Sequence, residues 1–310
     1  MRFPIRQWAG ACGALIAAFA LSGPAARAEA PAPAPVLSPA AVETPAGNVA
    51  LWKVADEDTT IYLFGTIHLL DGDDAWFSDT IGKALATSDQ LVTEVDQDSG
   101  AAASAMLLRR AMLPQGQNLR ALMSAEDRAA YEKALHAIRM PPETFDRFKP
   151  WYAGLMLNLL PLMQNGYSVD KGVEAVLTAR KRPQTGTGAL ETMEEQVDLF
   201  DALPQTAQLA YLRSTAKAAP DMVATIAGMV KEWRAGNADA LAELINDEET
   251  DPALLDRILY ARNTSWANWI VRRLEQPGTV FVAVGAGHLA GQGSVQDQLR
   301  RRGIGSARVQ

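Results

Sequence analysis

Two apolar segments near opposite ends of the chain finish in the same pattern, a glycine followed three residues later by a histidine. The first is "IYLFGTIH" at 61–68, and the second is "VFVAVGAGH" at 280–288. Short apolar runs rich in β-branched and aromatic residues are typical of buried strands. Since glycine permits a tight or positive-φ backbone where a strand ends, each segment predicts a strand that presents a histidine at its carboxyl end.

The distribution of strand-like segments predicts an α/β domain whose mixed sheet is built from both ends of the chain. "ALWKVAD" and "TTIYLFGTIH" form a predicted hairpin, and further strands are expected at 89–96, in "QTGTGALET" and in "GTVFVAVGAGH". The long middle region has helical spacing, although a helix beginning at "PWYAGLMLNLL" is expected to be interrupted at Pro161. Strand–helix alternation at the two ends therefore favours a single sheet with a large helical insertion.

The N-terminal residues have the features of a secretory signal peptide. Arg2 and Arg6 precede a short apolar stretch at 8–23, and Ala26 and Ala28 are small residues at the positions that a signal peptidase requires. We therefore predict a signal peptide at 1–28, a Pro/Ala-rich linker at 29–47 and the folded domain at 48–310. The mature protein is expected to be periplasmic or secreted, and an uncleaved N-terminal anchor is the alternative.

Charge and cysteine content restrict the partners of the mature chain. The sequence has 29 basic and 36 acidic residues, and cleavage after Ala28 removes three of the basic ones, which leaves a formal net charge of −10. An acidic protein is a poor partner for nucleic acid, and membrane contact is expected only through an uncleaved N-terminus. Cleavage also removes the only cysteine, Cys12, so disulfides and thiolate metal sites are excluded.

The two Gly-x-x-His histidines are the first candidates for a functional site. His68 and His288 are predicted at the carboxyl edge of one sheet, where open α/β sheets bind their ligands. Imidazole is a common metal ligand and general base. A single histidine after an apolar run is more often structural, but two of the three histidines share this pattern, which favours one shared site. The third, His136, lies in a polar helix and is expected to be structural.

Carboxylates at other strand ends are expected to complete the site. Glu94 follows the third predicted strand and Glu191 follows the strand in "GTGALET", whereas Asp96 and Asp170 are weaker candidates. Two histidines and carboxylates form a nitrogen and oxygen donor set that suits Mn, Co, Zn or Fe(II). Such an ion lowers the pKa of bound water, and an uncoordinated glutamate can then act as a general base.

Other catalytic motifs are absent from the sequence. There is no His-Glu-x-x-His zinc motif, no Gly-x-Ser-x-Gly elbow and no Walker motif. "GAGHLAG" is close to a dinucleotide-binding loop, but Gly291 lies one residue too late for Gly-x-Gly-x-x-Gly. These absences leave the histidine and carboxylate set as the main candidate site.

At these motifs the sequence resembles the TraB/GumN family, which includes the Tiki proteins. The resemblance runs from about Ala50 to the C-terminus and is carried by "IYLFGTIHLL", "LVTEVD", "ALETMEEQ", "ARNTSWANWI" and "VFVAVGAGHLAGQGSVQDQLRRRG". It implies an α/β fold related to the erythromycin-esterase and ChaN-like proteins. It also implies divalent-metal-dependent hydrolysis, because Tiki members are described as metal-dependent proteases.

The resemblance also assigns roles to individual positions. The family motifs match two Gly-x-x-His elements, two acidic positions and an Arg-Asn pair, which here are Gly65, His68, Gly285, His288, Glu94, Glu191, Arg262 and Asn263. An arginine at such a position is suited to hold a substrate carboxylate or a developing oxyanion, and an arginine on the helix surface is the alternative.

The leading hypothesis is a periplasmic or secreted divalent-metal-dependent hydrolase that acts on a peptide or a small-molecule substrate. In this hypothesis His68, His288 and Glu191 bind Mn, Co or Zn, Glu94 is a ligand or the general base, and Arg262 is catalytic. The alternative is a non-catalytic protein that binds haem, metal or a signalling peptide in the same cleft. A third interpretation treats both Gly-x-x-His elements as purely structural strand ends. The oligomeric state stays open.

Overall fold

The computed structural model describes residues 48–96, 100–245 and 252–310, so the predicted signal peptide and linker lie outside the described residues. The described residues contain a six-stranded sheet whose strands are β1 (Leu51–Ala55), β2 (Thr59–Thr66), β3 (Gln90–Thr93), β4 (Gly186–Ala189), β5 (Gly278–Gly285) and β6 (Ala307–Arg308). The strand order across the sheet is β4-β3-β5-β2-β1-β6.

The sheet combines strands from both ends of the chain, as the sequence predicts. The four neighbouring strands β4, β3, β5 and β2 are parallel, and β1 and β6 complete the sheet through antiparallel pairs. The C-terminal strand β5 inserts between the N-terminal strands β2 and β3, so the sheet cannot form until both chain ends meet. The mixed α/β fold is therefore confirmed.

Helices cover both faces of the sheet. Their bounds are α1 (Asp79–Thr87), α2 (Gly100–Ala111), α3 (Ala125–Ala137), α4 (Pro150–Gln164), α5 (Val173–Arg180), α6 (Met193–Asp201), α7 (Gln205–Ala218), α8 (Met222–Arg234), α9 (Ala238–Ile245), α10 (Pro252–Leu255), α11 (Ala261–Arg273) and α12 (Val295–Arg300). A π-helical turn, Asp256–Tyr260, joins α10 to α11. No helix among the described residues has both the length and the apolar character needed to cross a bilayer.

Side chains alternate along the strands between two separate apolar cores. Phe64 and Phe281 belong to the larger core, which the helical insertion covers. Val282 lies in a smaller core with Trp266 and Ile270, on the face that α11 and α12 cover. Because both faces are buried, the central strands are continuous apolar runs rather than alternating ones.

Helix α4 differs from the expectation because it continues through Pro161 without interruption. A proline inside a helix removes one backbone hydrogen bond and costs about 3 kcal/mol. Pro161 lies near the C-terminal end of the helix, and α4 buries most of its length, including Trp151, Leu155 and Leu162. Each fully buried large apolar side chain stabilises the fold by about 1.5–3 kcal/mol, so packing outweighs the lost bond.

The two motif glycines are adjacent in the sheet and are required for close packing. In the β2–β5 register Gly65 lies opposite Val284, and Thr66 lies opposite Gly285. A Cβ atom on Gly65 would lie 3.0 Å from Cα of Ala286. Of the tight or positive-φ backbone expected here, positive φ is not found, since Gly285 has φ −48° and Gly65 is absent from the positive-φ residues. Both glycines instead allow neighbouring chain segments to approach the strand ends.

A third glycine, Gly172, fixes the backbone that carries His68. Val173 at the start of α5 donates its N–H to the carbonyl of Ile67 (3.1 Å). A Cβ atom on Gly172 would lie only 2.0 Å from the carbonyl oxygen of His68. The segment after β2 is therefore held against the start of α5 at a distance that only glycine permits.

We expect Gly172→Ala to destabilise the protein, because the added methyl group collides with backbone that cannot move aside. Overpacking of this kind costs about 1–3 kcal/mol. The matched control is Gly228→Ala inside α8, where an added Cβ meets nothing within 4 Å and helix propensity gains up to about 1 kcal/mol. Urea denaturation measures both changes, and equal stabilities for the two variants would contradict this packing.

Candidate functional site

Glu94 lies at the centre of a buried polar cluster at the carboxyl edge of the sheet. It follows β3 directly and is 3% exposed. Its Oε1 accepts the backbone N–H of Gly285 at 2.6 Å, so the end of β5 contacts this carboxylate directly. A Cβ atom on Gly285 would lie 3.1 Å from the same oxygen. The glycine of the second motif therefore makes room for Glu94.

The guanidinium of Arg262 connects the acidic residues of the cluster. Its Nη2 donates to Glu94 Oε2 at 2.7 Å, and its Nε and Nη2 donate to the carboxylate of Glu191 at 2.9 Å each. The guanidinium lies over the ring of Trp266, 4.6 Å from the centroid. Arg262 is 4% exposed, so these are buried, charge-assisted hydrogen bonds.

A local irregularity of the helix places Arg262 in the cluster. Arg262 is the second residue of α11, which directly follows the π-helical turn Asp256–Tyr260. Its Nη1 donates to the carbonyl of Ile258 at 3.0 Å. In an α-helix, this carbonyl is the partner of the Arg262 backbone N–H. The side chain is thus anchored to its own helix as well as to the carboxylates.

Glu191 and Gln196 enter from the segment that follows β4. The backbone N–H of Glu191 donates to the carbonyl of Glu94 at 2.8 Å, which continues the β3–β4 pairing past the strand ends. Gln196 in α6 is buried, and its Nε2 donates to Glu94 Oε2 at 3.1 Å. Both oxygens of Glu191 face the guanidinium of Arg262.

Asn263 orients the buried imidazole of His288. The distance from His288 Nδ1 to Asn263 Oδ1 is 2.6 Å, and Asn263 Nδ2 donates to the carbonyl of Gly293 at 2.9 Å. Since Oδ1 can only accept, the proton belongs on Nδ1. Nε2 then keeps its lone pair, which faces Nη1 of Arg262 at 3.0 Å. Burial and the Arg262 guanidinium lower the pKa of His288 to about 3.

His68 has the opposite electrostatic environment. Its Nδ1 lies 2.6 Å from Oε1 of Glu174 in α5, and its side chain is 16% exposed. Burial alone would lower the pKa of His68, but the carboxylate of Glu174, with a smaller effect of Glu94, raises it to about 9. His68 is therefore a cation at neutral pH in the metal-free protein.

The cluster keeps Glu94 ionised. Burial alone would raise the pKa of Glu94, but the charge of Arg262, the two histidines and the hydrogen bond from Gly285 lower it to about 2. Arg262 has a pKa raised above its usual value by the same pairing, although burial opposes this. The buried carboxylate and guanidinium thus stabilise each other in the charged state.

The structure brings together six of the side chains that the sequence singles out: His68, Glu94, Glu191, Arg262, Asn263 and His288. His136 lies exposed on α3, and Asp170 lies exposed in a 3₁₀ turn, Val169–Lys171. Sequence reasoning did not identify Glu174 or Gln196. Gln196 lies within the family-like segment "ALETMEEQ", which was a usable signal, whereas nothing local distinguishes Glu174 from an exposed helix carboxylate.

The donor set fits a divalent ion in its chemistry, but Arg262 competes for the same atoms. His288 Nδ1 is held by Asn263 Oδ1, which is the usual support for an imidazole that ligates through Nε2, whereas His68 Nδ1 forms an ion pair with Glu174 Oε1 at 2.6 Å. His288 Nε2 and Glu94 Oε1 are 3.8 Å apart, within the span of two ligands that each bind one ion at about 2.1 Å. No group of three or more His, Cys, Asp or Glu side chains in the described ranges is arranged to hold a metal. The ligand roles stay predictions.

A cleft of about 650 Å³ opens beside Glu191. One wall is α2, and the other is the segment from the end of β4 into α6. Ala102, Ala103, Met106 and Met193 give it small and apolar surfaces, while its charged residues include Asp96, Glu194 and Arg109. Asp96 thus lines the approach to the cluster rather than the cluster itself.

Comparisons with known proteins agree with these motifs. The sequence profile of the TraB/PrgY/gumN family matches residues 50–307. The chain is 25% identical to the uncharacterized protein YbaP of Escherichia coli over 82% of this chain and 94% of YbaP. It is 26% identical to metalloprotease TIKI1 of Homo sapiens over 83% of this chain and 61% of TIKI1, and 25% identical to metalloprotease TIKI2 of Xenopus tropicalis over 83% and 59%. No solved structure matches the chain.

The raised pKa of His68 predicts a loss of stability at alkaline pH. A group whose pKa is higher in the folded state contributes stability below its unfolded pKa of 6.5, and this contribution disappears as the pH rises through about 9. We expect the free energy of unfolding of the metal-free protein to fall by up to about 3 kcal/mol across this range. Urea denaturation in the presence of a chelator from pH 6 to 9.5 measures it.

Glu174→Gln is the matched control, because glutamine keeps a hydrogen-bond acceptor but has no charge. The pH dependence between 6.5 and 9 should nearly vanish in this variant. Parallel profiles for the wild type and Glu174→Gln would show that the pair does not raise the pKa of His68.

We also expect Arg262→Met to be strongly destabilising at pH 7, since it leaves Glu94 and Glu191 without their buried cation. Breaking a buried ion pair on one side costs about 3–5 kcal/mol. Arg272→Met, an exposed arginine of the same helix, should change the free energy of unfolding by less than about 0.5 kcal/mol. Equal losses in urea denaturation would contradict the central role of the guanidinium.

Proposed function

Because the chain belongs to the TraB/PrgY/gumN family, in which distant relatives are metalloproteases, we propose that it is a divalent-metal-dependent hydrolase of peptide bonds. The observation that carries the proposal is the support of the two motif histidines. Asn263 Oδ1 contacts Nδ1 of His288 at hydrogen-bond distance, and Glu174 Oε1 forms an ion pair with Nδ1 of His68. His288 Nε2 lies 3.8 Å from Oε1 of Glu94, and His68 is near enough to the same carboxylate for their charges to interact.

In this proposal His68, His288 and Glu94 hold the ion, which is Mn, Co or Zn. When bound, the ion polarises the scissile carbonyl and lowers the pKa of water. To ligate an ion, His68 would have to give up the proton that it carries in the metal-free protein. Ion binding is therefore expected to release a proton near neutral pH.

The remaining residues of the cluster bind, orient and stabilise charge. Glu174 and Asn263 fix the imidazole rings, and Gln196 fixes Glu94. Arg262 stays protonated throughout and is suited to stabilise negative charge that develops on a substrate oxygen. Glu191 holds the guanidinium in place, so we propose Glu191 as a positioning residue, with a direct ligand role as the other candidate.

We further propose that the activity takes place in the periplasm or outside the cell. The features of residues 1–28 support this location. A site made only of histidine and carboxylate also suits an oxidising compartment, because neither side chain type forms disulfides.

A second candidate function is binding without catalysis, and one observation favours it. The Arg262 guanidinium already satisfies Glu94, Glu191 and the Nε2 atom of His288. A site whose donor atoms are already paired in this way would bind a peptide without turnover. The experiment below separates the two functions.

The test combines metal content, thermal melting and peptide hydrolysis on residues 29–310. We expect the wild type to bind Mn, Co or Zn with a rise in melting temperature, since a ligand that binds only the native state stabilises it. His68→Ala and His288→Ala should each lose metal binding and reduce hydrolysis by at least ~100-fold. The exposed His136→Ala is the control and should match the wild type.

Three results would count against the hydrolase. Full turnover by His68→Ala would remove the proposed site. Metal binding without cleavage of any peptide would favour the binding protein. Absence of both metal and peptide binding from the wild type would leave the Gly-x-x-His elements as structural strand ends.

A further inference from the structure

Strand β4 forms one edge of the described sheet and pairs only with β3 there. Gly186 donates its N–H to Asp89 O at 2.9 Å, and Leu190 donates to Thr93 O at 3.0 Å. In a parallel ladder, alternate residues direct their backbone groups to opposite sides. The N–H and C=O groups of Thr187 and Ala189 therefore point away from β3.

These outward groups have almost no partners among the described residues. Among the described residues, the N–H of Thr187 and both backbone groups of Ala189 make no hydrogen bond. The carbonyl of Thr187 receives only one contact, from Gln90 Nε2 at 3.4 Å. The strand is exposed along most of its length. It thus presents the hydrogen-bonding row that an added strand requires.

The side chains of this edge do not protect it. Edge strands are commonly protected by being very short or by lysine, proline, inward charges or a covering element, and β4 has only the first of these, a length of four residues. "GTGA" has none of these side chains, and Gly186 leaves the backbone bare, whereas the side chain of Gln90 in β3 lies over Gly188. Glycine within a strand often marks a place where another backbone approaches closely. The unprotected edge therefore indicates a binding surface.

The edge leads directly into the candidate site. Two residues after Ala189 the chain reaches Glu191, which contacts Arg262. The cleft of about 650 Å³ begins at this same point and runs between α2 and α6. A chain laid along β4 would thus pass from the sheet edge into the cleft and reach the polar cluster.

We propose that the outer edge of β4 binds an extended polypeptide as an added strand and directs it into the cleft. The inference deepens the proposed hydrolase function, and it rests on that function for the cleavage of the bound polypeptide. Only an extended polypeptide supplies N–H and C=O groups at the strand repeat of about 3.3 Å. A helix uses these groups internally, and nucleic acid is disfavoured by the acidic charge of the protein. The substrate class is therefore unfolded or flexible polypeptide, recognised mainly through its backbone.

The probe is a fluorescein-labelled nine-residue peptide of lysine, valine, threonine and alanine. Backbone recognition is tolerant of sequence, and the lysines complement the acidic residues of the cleft. Its partner probe has the same sequence with four consecutive N-methylated residues at its centre, which removes donors from both edges of the peptide. Fluorescence polarisation with metal-free wild type measures binding of each peptide, and we expect N-methylation to weaken it at least tenfold.

Two variants of the protein change the outer edge of β4 without changing its hydrogen bonds to β3. Thr187→Pro removes an outward N–H, and proline is tolerated on edge strands with that N–H facing solvent. Thr187→Val keeps the N–H and is the matched control. We expect Thr187→Pro to bind the unmodified peptide at least tenfold more weakly and Thr187→Val to bind like the wild type. Melting curves confirm that both variants fold.

The outcomes separate this inference from the proposed function. Edge-dependent binding without cleavage in Mn, Co or Zn would uphold the inference and count against the hydrolase. Cleavage with a KM that neither N-methylation nor Thr187→Pro alters would overturn the inference and leave the hydrolase standing. Equal binding of both peptides, or of neither, would overturn it as well, and the wild-type comparison holds even if Thr187→Pro fails to fold.

Discussion

The pairing of the Arg262 guanidinium with Glu94 and Glu191 is the interaction on which the carboxyl edge of the sheet depends. It joins the end of β3, the segment after β4 and the start of α11, which are far apart in the sequence. His288, after β5, contacts the same guanidinium. A buried charge on any one of these elements would be unfavourable alone, so the elements are stable in this arrangement only together.

The two motif histidines have the same local sequence pattern and opposite electrostatics. His288 is buried beside a guanidinium and stays neutral, whereas His68 is paired with Glu174 and is protonated at neutral pH. Environments that separate the pKa values of similar groups are characteristic of acid–base chemistry. The asymmetry arises from the neighbours that each strand end meets, α11 in one case and α5 in the other. The glycine and histidine themselves do not determine it.

Features that repeat along the chain were predictable from the sequence, and features that depend on packing were not. The apolar runs at 61–68 and 280–288 identified adjacent strands and their histidines, and strand-end position identified Glu94 and Glu191. The glycines were expected to allow a tight or positive-φ backbone, but what Gly65 and Gly285 provide is room for neighbouring atoms, without positive φ. Pro161 was expected to interrupt a helix that burial holds together. Glu174 carries no local signal, since its partner His68 lies about a hundred residues away in sequence.

The π-helical turn Asp256–Tyr260 has a consequence for the helix that contains Arg262. Ile258 and Leu259 pack into the larger core, whereas Trp266 and Ile270, further along, pack into the smaller core on the other face of the sheet. One additional residue in a helix rotates everything after it by about 100°. The turn therefore sets the rotation between the residues before it and after it, so that the first group packs into the larger core and the second into the smaller core. Arg262 lies where the phase changes, and the length of this short segment is as constrained as the identity of any residue in the cluster.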